Sequence, residues 1–130
     1  MSRMIFVNLP VRDLSASREF FGKLGFGFNA DFSDDSAACL VVDHNIFVML
    51  LVESRFKDFI TGEISDATKA TEVLTCLSVD SKEQVDDMVA MAVASGGKAW
   101  KPVMEEGPMY GGSFQDLDGH VWELMHMPAG

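Results

Sequence analysis

The side chains best equipped for chemistry in this 130-residue chain are three histidines, two cysteines, a lone tyrosine and a glutamate set in the apolar stretch HVWELMHM. A bound divalent metal needs several imidazole, thiolate or carboxylate donors converging on one point. The histidines do not supply them. His120 and His126 stand six residues apart on one expected strand, about 20 Å at ~3.3 Å per residue, and both alternate onto the side opposite Glu123, with Trp122 and Leu124. His44 falls in the turn DHN, where a solvated side chain is expected. Cys39 and Cys76 have neither a CxxC partner nor a neighbouring histidine. No disulfide framework or zinc knuckle is indicated, and both are expected as buried thiols.

The elements that must position these residues come in two similar sets. Ile5, Val7, Leu9 and Val11 alternate as a strand lying against a core, with Met4, Phe6, Asn8 and Pro10 on its other face. Asp13 is a good helix N-cap; Leu14, Ser17, Phe20, Phe21 and Leu24 recur at helical spacing, and Gly25 supplies a stop. FGFNADF, SAACLVVD and NIFVMLLVE then read as strands separated by the turns SDD and DHN. The order starts again at Val73, Thr75, Leu77 and Val79, followed by a helix with a Ser81–Gln84 capping box and an apolar stripe of Val85, Met88, Val89 and Ala92. Gly96 and Gly97 end that helix, and KAWKPV, MYGGSFQD and HVWELMHM supply strands, the last two joined by a turn around Asp118 and Gly119.

Each half is therefore strand, helix, strand, strand, strand. First-strand positions are offset by 68 (Phe6 to Leu74, Val11 to Val79) and last strands by 74 (Met49 to Glu123), so the second half has gained six residues in between. One such unit leaves a sheet face uncovered, and two can bury or share it. The expected organisation is one domain spanning 1–130, with module one at about 3–53, a linker at 54–71 and module two at about 72–127. The linker's Phe56, Phe59 and Ile60 argue for a packed segment rather than a free tether.

Composition narrows the partners. Hydrophobic residues make up 48%, enough for one core, while a formal charge of −10 repels phosphate backbones and anionic headgroups, which argues against nucleic acid and membrane. MSRMIFVNLP lacks the regions of a signal peptide, and the longest apolar run, IFVMLLV, is seven residues against the roughly 20 that span a bilayer. A cytoplasmic location is expected.

Three phrases, LPVRDLSASREFFGKLGF, LSVDSKEQVD and SFQDLDGHVWELM, carry a resemblance to the vicinal oxygen chelate superfamily, which includes glyoxalase, the bleomycin-resistance proteins and extradiol dioxygenases. The resemblance covers nearly the whole chain. It implies an α+β fold of two βαβββ modules whose curved sheets form a cleft, commonly completed by a second subunit, so a homodimer is expected. In metal-dependent members four side chains hold a divalent ion, and their places correspond to Phe6, Met49, Leu74 and Glu123. Only Glu123 is a suitable donor: Phe and Leu have none, and a thioether prefers soft ions. No metal and no other cofactor is therefore expected.

With Phe6 on the cleft side, period-two counting adds Asn8, Phe47, Met49, Leu51, Leu74, Cys76, Val121, Glu123 and Met125. That lining describes a small-molecule pocket or, equally, a filled core. An ionised Glu123 among Phe, Met and Leu is costly unless it finds a donor, a cation or a proton. The reading is that Glu123 anchors a ligand, or acts as general base or acid, with Asn8 as the second polar contact; the alternative is a carboxylate facing trapped water. Tyr110, in the loop MEEGPMYGG, either reaches the cleft or is a surface residue. Phe56 and Phe59 either roof the pocket or, the favoured reading, seal the module junction. The expected function is metal-independent binding of a small molecule, cationic or neutral given the acidic surface. The alternative is a lyase, isomerase or dioxygenase with relocated metal ligands.

Overall fold

The computed structural model describes residues 3–128 and divides into two compact units, separating after Ser65. Unit 1 holds β1 (Ile5–Val11), α1 (Leu14–Lys23), β2 (Gly27–Asn29), β3 (Ala37–Asp43), β4 (Ile46–Val52) and a short α2 (Glu53–Lys57). Its sheet runs β1-β4-β3-β2, with β1 parallel to β4 and the remaining pairs antiparallel. Unit 2 holds β5 (Leu74–Ser78), α3 (Lys82–Ala94), β6 (Lys98–Ala99), β7 (Met104–Glu106), β8 (Met109–Gln115) and β9 (Val121–His126). Here the order is β5-β9-β8-β6, again with the first and last strands parallel, and β7 added to β8. Each unit is thus a βαβββ module, and the α+β class and two-sheet architecture stand. Among the described residues no helix is long and apolar enough to cross a membrane.

Local chemistry fixes the helices where the sequence places them. Asp13 accepts a hydrogen bond from the Ala16 N–H at 3.0 Å, and α1 ends at Gly25, whose φ of +101° only glycine adopts readily. At α3 the capping box forms: Ser81 Oγ accepts from the Gln84 N–H at 3.1 Å, while Gln84 Oε1 accepts from the Asp80 N–H at 2.9 Å. The three strands expected after α1 are present, although FGFNADF is strand only over Gly27–Asn29 before a single 3₁₀ turn.

One expectation is corrected. MEEGPMYGG is not a loop but a hairpin, with Glu106 opposite Met109 across Gly107 and Pro108. Gly107, at φ +61°, occupies the place where a type II′ turn takes glycine. The residues gained by the second half therefore go partly into α3, 13 residues long against 10 for α1, and partly into the β6–β8 connection that carries β7. The segment expected as a linker opens with α2, which begins at Glu53, directly after β4.

In both units one sheet face packs on the helix. Leu9, Val11, Val48 and Leu50 are buried on that face of unit 1, as are Trp122 and Leu124 in unit 2. Gly112 shows how close the helix comes: a Cβ there would lie 2.8 Å from Val85 Cγ1 and 3.2 Å from Val89 Cγ2. Alternation then sends Phe6, Asn8, Met49, Cys76 and Glu123 to the face away from the helix.

Candidate functional site

On the open face of unit 1, Phe6 stands opposite Phe47 in the parallel ladder, and their rings stack at 4.9 Å with an interplanar angle of 14°. Phe47 is buried there, while Phe6 stays 39% exposed. One pleat further on, Asn8 stands opposite Met49, and β4 continues to the buried Leu51. The chain then turns into α2, which packs back on β1 and β4, and a hollow of 390 Å³ is left between Asn8, Leu51, Phe56, Phe59 and Ile60. Phe56 and Phe59, from the segment after β4, are thus part of its lining. Arg55 lies 4.8 Å over the Phe59 ring and 3.5 Å from Asp58, so its charge is partnered at the rim.

Asn8 is the polar side chain of that hollow. Its Nδ2 donates to the Phe6 carbonyl at 3.1 Å, and no donor to its Oδ1 occurs among the described residues. The other lining side chains have no polar atom.

The open face of unit 2 is built differently. Glu123 on β9 stands between Cys76 on β5 and Ser113 on β8. Its carboxylate is half-buried and has no hydrogen bond or ion pair among the described residues. Partial shielding and the Glu123 charge both push the Cys76 thiol above its ordinary pKa, so it is neutral near pH 7. Ser113 is buried, and its Oγ accepts from the Lys101 N–H at 3.1 Å. Val121 is buried, Leu74 is 52% exposed, and Met125 lies over Gly111, where a Cβ would come within 3.2 Å of its Cε.

The expectation of two buried thiols is half corrected. Cys39 is buried at the centre of sheet one, but Cys76 is exposed because it points from the open face of an edge strand.

Tyr110 is also corrected in place. It shares the face of β8 that carries Gly112, toward α3, and its hydroxyl donates to Asp86 Oδ1 at 2.7 Å. That bond, with some burial and the nearby Glu105 and Glu83 charges, pushes its pKa up. Lys82 sits 5.6 Å over the ring. Tyr110 is thus part of the helix packing.

The divalent metal implied by the family resemblance does not fit these residues. Phe6 and Met49 occupy its two places in unit 1, and Leu74 and Glu123 those in unit 2, a donor set with a single carboxylate. Among the described residues no group of three or more His, Cys, Asp or Glu side chains could hold a metal ion. His44 contacts Asp43 at 3.2 Å in its exposed turn, and His126 Nδ1 lies 3.2 Å from the Val79 carbonyl, each far from such a role.

One residue went unnoticed in the sequence. Asp116, buried at the start of the DLDG turn, accepts through Oδ1 from the Asp118 and His120 N–H groups at 2.9 and 3.0 Å, and through Oδ2 from Trp122 Nε1 at 3.0 Å. It locks the turn that starts β9 and so fixes the strand bearing Glu123. The aspartate-rich turn was readable; the reach to Trp122 was not.

With this geometry in place, comparison with known proteins is informative. Residues 3–43 match the family model described as bleomycin resistance protein-like N-terminal. No curated protein sequence matches the chain. Among solved structures, a hypothetical protein of S. aureus is 27% identical, with a TM-score of 0.82, covering 97% of this chain and 94% of its own. A glyoxalase/bleomycin resistance protein/dioxygenase family enzyme from Burkholderia phytofirmans is 21% identical, with a TM-score of 0.80 over 98% of this chain and 100% of its own. A fosfomycin resistance protein from Listeria monocytogenes is 17% identical, with a TM-score of 0.70 over 98% and 95%. The last two likenesses are of fold.

Proposed function

We propose that this chain, which resembles the vicinal oxygen chelate superfamily in sequence and has its glyoxalase/bleomycin resistance fold, binds a small apolar molecule without a divalent metal. The observation that carries the reading is the 390 Å³ hollow of module one, within the size range of small-molecule sites and lined by aromatic and aliphatic side chains with one amide. Resistance to a drug, the role named for the bleomycin and fosfomycin relatives, is the kind of task such a site serves by sequestration. The formal charge of −10 favours a neutral or cationic ligand over an anion. On module two, Glu123 is the proposed anchor for a donor or cation on a ligand.

The test is titration with N-phenyl-1-naphthylamine, a neutral probe whose fluorescence rises in apolar surroundings. The native chain should bind it saturably, and Ile60→Trp, which fills the hollow, should abolish the rise; equal binding by the variant overturns the assignment. Elemental analysis of protein purified without chelator checks the metal-free part, which a stoichiometric transition metal would overturn. A homodimer is proposed with it, supported by the large apolar side chains left exposed, among them Trp100, Val103 and Met104. Sedimentation velocity returning a monomer would remove that part.

A further inference from the structure

We infer that the hollow of module one selects apolar ligands that carry an N–H or O–H donor, a claim that rests on the binding reading above and adds the ligand's chemical class. The Asn8 amide can present either end to a ligand, and its own strand decides which. Nδ2 donates to the Phe6 carbonyl at 3.1 Å, an arrangement the flipped amide would turn into two facing oxygens. The planar amide then turns Oδ1 away from that carbonyl, with both lone pairs unclaimed by any donor among the described residues. Every other lining side chain, Leu51, Phe56, Phe59 and Ile60, is hydrocarbon. Asn8 is exposed in the free chain, so Oδ1 is open to solvent there, and a ligand seated against it takes the place of that solvent. One with a donor replaces the lost hydrogen bond; one without leaves a polar oxygen against hydrocarbon. Shape and apolar area count equally for both, so the difference in affinity reports the single oxygen.

The neighbouring charges do not reverse this preference. Arg55 is held over Phe59 and beside Asp58, so the guanidinium and the Asp58 carboxylate face each other at the rim. Asn8 is therefore a specificity-determining residue: it asks for a donor without asking for a charge.

The experiment uses the full chain and a matched pair of probes, indole and benzothiophene, which share shape and apolar surface while only the first has a ring N–H. Each is measured by displacement of N-phenyl-1-naphthylamine. Indole should bind about tenfold more tightly, the ratio that one ordinary hydrogen bond is worth. Asn8→Leu should bring the two probes to equal affinity, and Asn8→Asp, whose carboxylate swings off the Phe6 carbonyl but still accepts, should retain the preference. Both variants must first show the native cooperative thermal transition; should Asn8→Leu not fold, Asn8→Asp and the native ratio still decide. Equal affinities in the native chain, with Ile60→Trp abolishing both, overturn the selection and leave the binding reading standing. A preference that survives in Asn8→Leu overturns the assignment to Asn8. If neither probe nor the dye binds, the hollow is not a site, and the selection falls with it.

Discussion

In module one the aromatic bulk of the core lies on the helix, as Phe20 and Phe21, and the sheet positions that face α1 are the smaller Ala38, Leu40 and Val48. In module two the bulk lies in the sheet, as Phe114 and Trp122, while the matching helix positions are Met88 and Val89. Ladder register makes the correspondence firm. Cys39, Met49 and Asn8 form one cross-strand row, and Ser113, Glu123 and Cys76 form the other, so Ala38 answers to Gly112, Leu40 to Phe114 and Val48 to Trp122. Two layers at fixed spacing require their facing volumes to complement each other, and either layer can carry the larger share. The repeat thus preserves a backbone while exchanging which layer is large.

The heaviest test of this exchange is Trp122→Ala. The side chain is fully buried, lies parallel to Phe114 at 6.5 Å and donates to Asp116, so its removal should cost about 3–5 kcal/mol in urea unfolding. Val48→Ala, the matching change in module one, removes far less volume and should cost correspondingly less. Equal losses would mean that the sheet layer is no larger in module two than in module one.

Gly112→Ala follows, with an expected loss of about 1–3 kcal/mol, because the added methyl would meet Val85 Cγ1 at 2.8 Å. Adding Val85→Ala should recover part of it, so that the pair departs from additivity by at least about 0.5 kcal/mol. Strict additivity would show that α3 retreats freely and that Gly112 is not required by packing. In module one the corresponding pair is already relaxed, with Ser17 and Ala38 in place of Val85 and Gly112.

This exchange is the part of the fold that a single chain of letters does not display. Period-two alternation in Ile5–Val11, the Asp13 cap and the Ser81–Gln84 box are local, and a strand or helix end obeys them whatever lies across the core. The apolar open face was legible for the same reason. Gly112 is different, since its meaning depends on two valines more than twenty residues away along the chain, in another layer. β7 was missed because Gly107 and Pro108 signal a turn without telling whether the flanking residues pair. The hollow was half legible: Asn8 and Leu51 follow from alternation, whereas the return of Phe56 and Phe59 over them depends on the direction α2 takes after Val52.

The turns extend the comparison to pH. Module one uses Asp43, exposed and hydrogen-bonded to His44, whose N–H groups hold its carboxyl below the usual range. Module two uses Asp116, whose carboxyl burial pushes up despite His120, the Trp122 indole and the Asp118 N–H. A raised acid takes up its proton first in the folded state, so its contribution is present below the unfolded value of 3.8 and is lost as pH rises through the folded value. Asp43 has the opposite sign: its small contribution is present above 3.8 and lost as pH falls. Asp116→Asn should cost about 1–3 kcal/mol by mismatching the Trp122 N–H, and the native advantage over this variant should grow as pH falls from neutral toward about 4. A native advantage that shrinks on acidification would show that Asp116 is held ionised by its three donors, and the contrast between the turns would vanish.

The smallest effect distinguishes the two open faces. Module one covers its face with α2 and leaves a neutral amide; module two leaves a carboxylate beside a thiol. The link between Cys76 and Glu123 is electrostatic, since the charge on Glu123 disfavours the thiolate, after partial shielding has already done so. Glu123→Gln removes the charge and keeps the shape. The thiol pKa should then fall, and alkylation of Cys76 by iodoacetamide at pH 8 should accelerate by less than about tenfold, the change in thiolate fraction that one pKa unit brings. Buried Cys39 should stay unreactive in both forms and serves as the internal control. An unchanged rate would mean that Glu123 is held away from the thiol. In that case the polar character assigned to this face would belong to Ser113 and the backbone, and Glu123 would lose its place as the anchor for a charged ligand.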